Sequence, residues 1–344
     1  MVSKNKKAEQ TPTSKTTKQL NTLEAKKPAE PTNQTQGLTV VGIGASAGGL
    51  TALNSFFDAL SPDTGMAFVV ITHLHPGYES HLAELLQQHT QMPTHQVSHR
   101  IKVKADHVYI IPPNRNITVT DTQLETAEFT EPRGKRSPID HFFRSLASKG
   151  QESIAVILSG GGTDGSVGIK EVKERGGVIM VQDPNDAEHD SMPLAAINTG
   201  LADVVLPAGR LAEKLVGYAQ YRPQLPHDPG QLTEEEAETF QHILTQVQAR
   251  TGQDFNHYKR ATILRRVERR MQLNGMTTLT GYLKFLRQNA HEAQFVFNDI
   301  LIGVTNFFRD PKSWQALEEE VIPALFEIKG GGRDTCLVDR LCHR

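Results

Sequence analysis

Between Leu38 and Tyr221, apolar runs of strand length alternate with stretches of helical periodicity, and this alternation restricts the fold more than any other feature of the chain. The runs lie at 38–43, 67–72, 107–111, 154–159, 178–181 and 203–206. Helix patterns occupy Leu50 to Leu60, Ser80 to His89, Ile139 to Lys149 and Val167 to Arg175. Such alternation predicts an α/β, doubly wound, mostly parallel sheet with helices on both faces. His107 to Ile111, then Pro112-Pro113-Asn114-Arg115 and Ile117-Thr118-Val119, reads as a strand, a turn and a short return strand.

The first run breaks into Gly44-Ala45-Ser46-Ala47-Gly48-Gly49 and resumes as helix at Leu50. Two mechanisms use a strand–turn–helix unit of this kind. Gly-x-Gly-x-x-Gly seats a pyrophosphate on the helix N-terminus. Gly-x-Ser-x-Gly exposes a serine hydroxyl on a tight turn with backbone N–H groups beside it. Gly44-Ala45-Ser46-Ala47-Gly48 fits the second pattern literally, whereas Gly42, Gly44 and Gly48 fit the first only loosely. A dinucleotide site also wants an acidic residue after the second strand; here Thr72-His73-Leu74-His75 stands there. The nucleophile reading is favoured, while the glycines would equally suit close packing of a helix on the strand.

At 344 residues the chain has room for two domains. Its formal net charge of −2 gives no bulk attraction to nucleic acid or membrane. Cys336 and Cys342 lie together near the end, which excludes a disulfide scaffold and predicts a reducing compartment. No apolar run approaches the ~20 residues of a membrane span, and no secretory signal is evident, so a cytoplasmic protein without membrane insertion is expected. Residues 1–37, rich in Lys, Thr, Gln and Pro, read as a disordered tail ahead of a domain over 38–222. Glu131 to Pro138, with Arg133, Lys135 and Arg136, is an exposed basic loop; it could line a substrate groove, but the solvated loop is the favoured reading. Pro223, Pro226, Pro229 and Gly230 mark a linker over 223–232. Thr233-Glu234-Glu235-Glu236 is a capping box that opens a small all-α domain over 233–329. Its helix patterns run from Thr233 to Thr251, Lys259 to Asn274, Leu279 to Gln288, Glu292 to about Ile302, and Lys312 to Ile328. Residues 330–344 fit nothing before them and read as an aberrant or truncated tail.

A nucleophilic serine needs a base, and the base needs an orienting group. In parallel sheets such groups gather at the carboxyl ends of the strands. Ser46 follows the first strand and His73 the second; Asp164 follows the strand that runs into Gly160-Gly161-Gly162-Thr163. Each has a bland alternative. One histidine after a strand is unremarkable, His75 sits two residues on, and Asp164 stands where it could cap the next helix. Their coincidence at strand ends favours a triad.

Four motifs make the likeness specific: Gly42 to Gly49, Thr72-His73-Leu74, Ile110 to Arg115, and Leu158 to Gly165. Asp183-Pro184 and Ser191-Met192-Pro193 continue it. In this order they resemble the catalytic domain of chemotaxis protein-glutamate methylesterases, over about Leu38 to Tyr221. That family hydrolyses γ-glutamyl methyl esters on chemoreceptors and can deamidate receptor glutamines. The resemblance implies that Ser46 is the nucleophile, His73 the base and Asp164 its orienting acid, with backbone N–H groups of Ala47 and Gly161 at the oxyanion hole. The family often carries Gln where this chain has Thr72, and in several members Met where it has Gly161. A receiver domain precedes many of these enzymes and is not found here.

The helical part resembles the N-terminal domain of chemotaxis receptor methyltransferases. Gln253-Asp254-Phe255, Tyr258-Lys259-Arg260, Leu264 to Arg270 and Val304 to Asp310 carry this likeness. It implies a fused methylesterase–methyltransferase whose basic helix faces an acidic receptor through Arg265, Arg266, Arg269 and Arg270. Ile263, Leu264, Val267 and Met271 form the apolar face of that helix, which puts the arginines on the outer face. No aromatic residues interleave with them to stack bases, so nucleic acid is not the expected partner. Thr305 and Arg309 match S-adenosylmethionine contacts, and Gly303 stands where an asparagine is usual. The glycine-rich strand–turn expected after Arg333 is missing, so an incomplete cofactor site, no bound cofactor or metal, and no methyl transfer are expected. The sequence thus predicts a serine esterase acting on methyl-accepting chemoreceptors or similar signalling proteins. The rival is a non-catalytic protein that docks on receptors through its helical part.

Overall fold

The computed structural model describes residues 38–73, 80–120, 122–132, 136–220, 229–255 and 257–301. Its strands are β1 (Val40–Ala45), β2 (Ala67–Thr72), β3 (Thr94–Gln96), β4 (Ile101–Lys102), β5 (His107–Ile110), β6 (Arg115–Val119), β7 (Gln123–Glu128), β8 (Ser153–Ile157), β9 (Val178–Gln182) and β10 (Val204–Leu206). Seven of them form one sheet in the order β10-β9-β8-β1-β2-β5-β3, and every pairing in it is parallel. The helices of this part are α1 (Gly49–Asp58), α2 (Leu82–Gln87), α3 (Pro138–Leu146), α4 (Gly168–Glu174), α5 (Ser191–Asn198) and α6 (Ala208–Gln220).

β1, β8 and β9 are buried along their whole length, which is why their sequences read as unbroken apolar runs. Alternate residues serve opposite faces. Val41 and Ile43 point toward Phe56 and Phe57 of α1 and Leu211 and Leu215 of α6. Val40 belongs to the other face, with Phe142 and Phe143 of α3 and Ile169 and Val172 of α4. The glycines of β1 let α3 come close. A β-carbon on Gly42 would lie 2.7 Å from Phe142 Cε1, and one on Gly44 would lie 2.5 Å from Ile139 Cγ2. The packing role of these glycines is therefore real, but the helix they admit is α3 rather than the one that follows them.

Several elements differ from the sequence expectation. The return strand at 117–119 does not pair with β5. As part of β6 it pairs antiparallel with β7, and β4 completes a separate three-stranded sheet. β3, β4 and β7 are short or polar, so no apolar run announces them. α5 and α6 also lie outside the expected helices; α5 carries Pro193, and Gly209 and Gly217 dilute the helical pattern of α6.

The helical part comprises α7 (Glu234–Thr251), α8 (Arg260–Leu273), α9 (Leu279–Gln288) and α10 (Ala290–Leu301). The capping box is present: Glu236 N–H donates to Thr233 Oγ1 at 3.3 Å, and Thr233 N–H donates to Glu236 Oε2 at 2.9 Å. Phe240, Ile243, Val247, Ile263, Leu264, Val267, Met271 and Tyr282 build its core. Among the described residues no helix is long and apolar enough to cross a membrane.

The outer-face placement of the α8 arginines needs correction. Arg269 and Arg270 are buried, at 5% and 3% exposure. Arg269 pairs with Asp203, just ahead of β10, and donates to Asp299 of α10 at 2.9 Å. Arg270 donates to both oxygens of Glu292, at 2.9 and 2.8 Å. Lys173 of α4 joins the group at 2.5 Å from Asp203 and 2.7 Å from Asp299. Burial works against the charge of Asp299, but Arg269 and Lys173 outweigh it and hold its carboxyl below the usual range. Leu273, the last residue of α8, packs into the core of the α/β part. Gln272 Nε2 donates to Tyr218 O at the end of α6, at 2.8 Å. A helix buried on two sides can hide charges beside its apolar stripe, because their partners lie far away in sequence.

These contacts also fix where α8 docks. Asp203 precedes β10 and accepts from Ile179 N–H near the start of β9, at 2.9 Å. Lys173 lies near the end of α4 and Tyr218 near the end of α6, helices that run back against the strands. α8 therefore sits at the amino-terminal ends of the strands.

Candidate active site

The other end of the sheet is where the chemistry-bearing residues gather. In the turn after β1, Ser46 N–H donates to Ser159 O at 2.9 Å, and Gly49 N–H donates to Ser46 O at 2.9 Å. Gly48 adopts φ 68°, the left-handed region where a side chain is costly. A β-carbon there would also lie 2.7 Å from Glu188 Cβ and 2.8 Å from Ser159 Oγ. The turn thus presents Ser46 half-buried and Ala47 exposed at the start of α1.

His73 is the first residue after β2. It reaches Ser46 because β1 and β2 are parallel neighbours in which Ala45 pairs with Thr72. His73 Nδ1 lies 3.1 Å from Ser46 Oγ, and Nε2 lies 3.1 Å from Asp164 Oδ2. Asp164 comes from the loop after β8, the strand on the opposite side of β1. The three strand ends are therefore adjacent in space, although the third is far along the chain. His75 lies outside the described residues.

Asp164 is held from behind. Its Oδ2 accepts Ile139 N–H at 3.0 Å and its Oδ1 accepts Asp140 N–H at 2.9 Å. These are first-turn amides of α3, which have no partner within the helix and lie at its positive end. Asp140 returns the favour: its Oδ1 accepts from Val167 and Gly168, at 3.0 and 2.6 Å, at the start of α4. Asp164 thus caps the helix before it, not the one after it, and Asp140 caps α4. Burial pushes the Asp140 carboxyl up; the Gly168 amide pulls it back, and the charge of Asp164 adds to the rise. The pairing was not foreseen, since nothing in sequence links 140 to 164.

Ser159 is a second residue whose role the sequence does not reveal. It is fully buried. Its Oγ donates to Ala47 O at 2.9 Å and accepts His189 N–H at 3.0 Å. Its N–H donates to Gln182 Oε1 at 2.7 Å, and Gln182 Nε2 donates to Asp186 Oδ2 at 2.8 Å. The nucleophile turn is thereby tied to the end of β9.

Among the described residues, neither Ala47 N–H nor Gly161 N–H has a protein acceptor. Ala47 adjoins Ser46. Gly161 follows Gly160, where a β-carbon would lie 3.0 Å from Ser46 Cβ. A β-carbon on Gly161 itself would meet nothing within 4 Å, so the space on that side is open. The described residues contain no group of three or more His, Cys, Asp or Glu side chains arranged to hold a metal. Thr305, Arg309 and Gly303 lie outside the described residues. Of Arg265, Arg266, Arg269 and Arg270 on α8, Arg265 is exposed and Arg266 half-buried; none of these four lies at this rim.

Residues 41–215 match the family model described as CheB methylesterase, and residues 238–301 match that of the CheR methyltransferase all-alpha domain. An uncharacterized 104.1 kDa protein of Rhodobacter capsulatus is 36% identical over 71% of this chain and 28% of its own length. The protein-glutamate methylesterase/protein-glutamine glutaminase of Trichodesmium erythraeum is 31% identical over 52% of each chain. The chain thus spans about half the length of that curated relative. The crystal structure of the Thermotoga maritima CheB methylesterase catalytic domain is 28% identical and covers 53% of this chain and 98% of its own, with a TM-score of 0.49.

Proposed function

The chain belongs to the CheB methylesterase family, and from that membership we propose that it is a serine esterase hydrolysing glutamate methyl esters on chemoreceptor-like signalling proteins. Glutamine side-chain amides are its second substrate. The observation that carries this reading is the unbroken relay from Ser46 Oγ through His73 to Asp164. With its Nε2 proton donated to Asp164, His73 keeps a lone pair on Nδ1 for the Ser46 hydroxyl proton. Ser46 Oγ attacks the ester carbonyl, and the Ala47 and Gly161 N–H groups receive the oxyanion. His73 then returns the proton to the departing methoxide, and methanol leaves. Water, deprotonated by the same Nδ1, hydrolyses the acyl-enzyme to glutamate. An amide follows the same path with ammonia leaving.

Of the four arginines expected to meet an acidic receptor, exposed Arg265 and half-buried Arg266 remain available. The burial of Arg269 and Arg270 weighs against a protein that serves only to dock through this helix.

Ser46→Ala is the direct test. Losing a nucleophile costs several orders of magnitude, ~10⁴ or more. Methanol release from methylated receptor should disappear while the circular dichroism spectrum stays unchanged. Diisopropyl fluorophosphate should label Ser46 in the native protein, and labelling should fail in His73→Ala. Methanol release by Ser46→Ala at the native rate would end the assignment.

A further inference from the structure

One of the basic residues in the 131–138 loop has a defined seat. Arg136 Nε donates to Glu131 O at 3.0 Å, and Nη1 donates to Asn114 Oδ1 at 2.8 Å. Its guanidinium carbon lies 4.4 Å above the centre of the Phe129 ring. Asn114 itself adopts φ 56° in the Pro-Pro-Asn turn after β5, a conformation asparagine tolerates better than most residues. The guanidinium is thus held at a fixed position by a turn, a carbonyl and an aromatic face.

None of the contacting groups carries a charge, since Glu131 contributes only its backbone carbonyl. Elsewhere in the α/β part, Arg100, Arg115, Arg144 and Arg210 each face a carboxylate. Among the described residues Arg136 faces none, so its positive charge is preorganised and not neutralised. A planar guanidinium with free N–H groups is suited to a carboxylate.

Its location gives the charge a purpose. Asn114 follows β5, the strand beside β2, so it stands on the same rim as His73. Arg136 is three residues ahead of Ile139, whose N–H holds the Asp164 oxygen that faces His73. Three residues of extended chain span at most about 11 Å. The backbone of Arg136 is therefore within about 11 Å of Ile139, whose amide holds Asp164 at the rim that carries Ser46.

Resting on the esterase reading above, we infer that Arg136 is a specificity residue that binds a carboxylate flanking the reacting glutamyl ester, so that acidic segments are preferred substrates. The probes are two synthetic peptides, each with one γ-methyl glutamate, flanked by Glu in one and by Gln in the other, with methanol release followed for each. The native protein should favour the Glu-flanked peptide in kcat/KM by about tenfold, the worth of one charge-assisted hydrogen bond. The preference should vanish in Arg136→Ala, with the Gln-flanked rate unchanged, and persist in part in Arg136→Lys. It should also shrink in about 0.5 M sodium chloride, where exposed charges are screened. Equal loss on both peptides would mean that Arg136 only braces the start of α3, and the inference falls. An undiminished preference in Arg136→Ala also overturns it. If the native protein releases methanol from neither peptide nor methylated receptor, the esterase reading itself fails.

Discussion

Asp164 serves two purposes at once, and its replacement should reveal both. Asp164→Asn keeps the shape but leaves one oxygen for two α3 amides and turns an NH2 group toward His73 or toward an N–H. The imidazole then loses the acceptor that fixes its tautomer, and kcat should fall by ~10³ to 10⁴ with little change in KM. A missing cap costs about 1–2 kcal/mol, so the melting temperature should fall as well. A variant inactive yet as stable as the parent would show that Ile139 and Asp140 do not depend on this carboxylate. Ser46, His73 and Asp164, which the structure brings together, could be singled out in the sequence because each follows a glycine-rich break or a strand. Asp140 and Ser159 could not be, because their partners are set by how β8, α3 and the nucleophile turn meet in space.

At the scale of an element, α8 shows how much periodicity leaves out. The positions of Ile263, Leu264, Val267 and Met271 gave its apolar stripe, and the structure buries all four in the helical core. The same stripe placed Arg269 and Arg270 outside, which fails because a second surface covers them. Charge offers no such pattern: an arginine paired with Asp203 looks in sequence like one in solvent. α8 also carries its own pH dependence. Burial raises the Glu268 carboxyl from 4.5 to about 7, with Arg265 pulling the other way. A carboxyl raised on folding favours the native state below its unfolded value and penalises it as pH climbs toward the folded one. Glu268→Gln should therefore match the parent near pH 4 and exceed it in stability above pH 7. The gain should be no more than about 1 kcal/mol, since water reaches part of this side chain. Denaturant titrations at both pH values would show it. A gain of equal size at pH 4 would point to packing instead.

For the whole molecule, the ionic cluster behaves as a joint. Lys173, Arg269 and Arg270 are balanced by Asp203, Asp299 and Glu292, all buried. Removing one member leaves an uncompensated charge out of water, at a cost of about 3–5 kcal/mol. Asp203→Asn should lower the melting temperature steeply and split a single calorimetric transition into two, as the helical and α/β parts come apart. One intact transition at the native temperature would show that Leu273 and its neighbours suffice. The joint also sets a distance. Asp203 and Lys173 lie at one end of the strands and Ser46 at the other, so the joint and the nucleophile stand about 17–20 Å apart, the length of five or six strand residues. Measured along a receptor helix rising 1.5 Å per residue, that offset is about a dozen residues. A receptor gripped at α8, as proposed for Arg265 and Arg266, would therefore present for hydrolysis residues three or so turns from the grip, or those of a neighbouring chain.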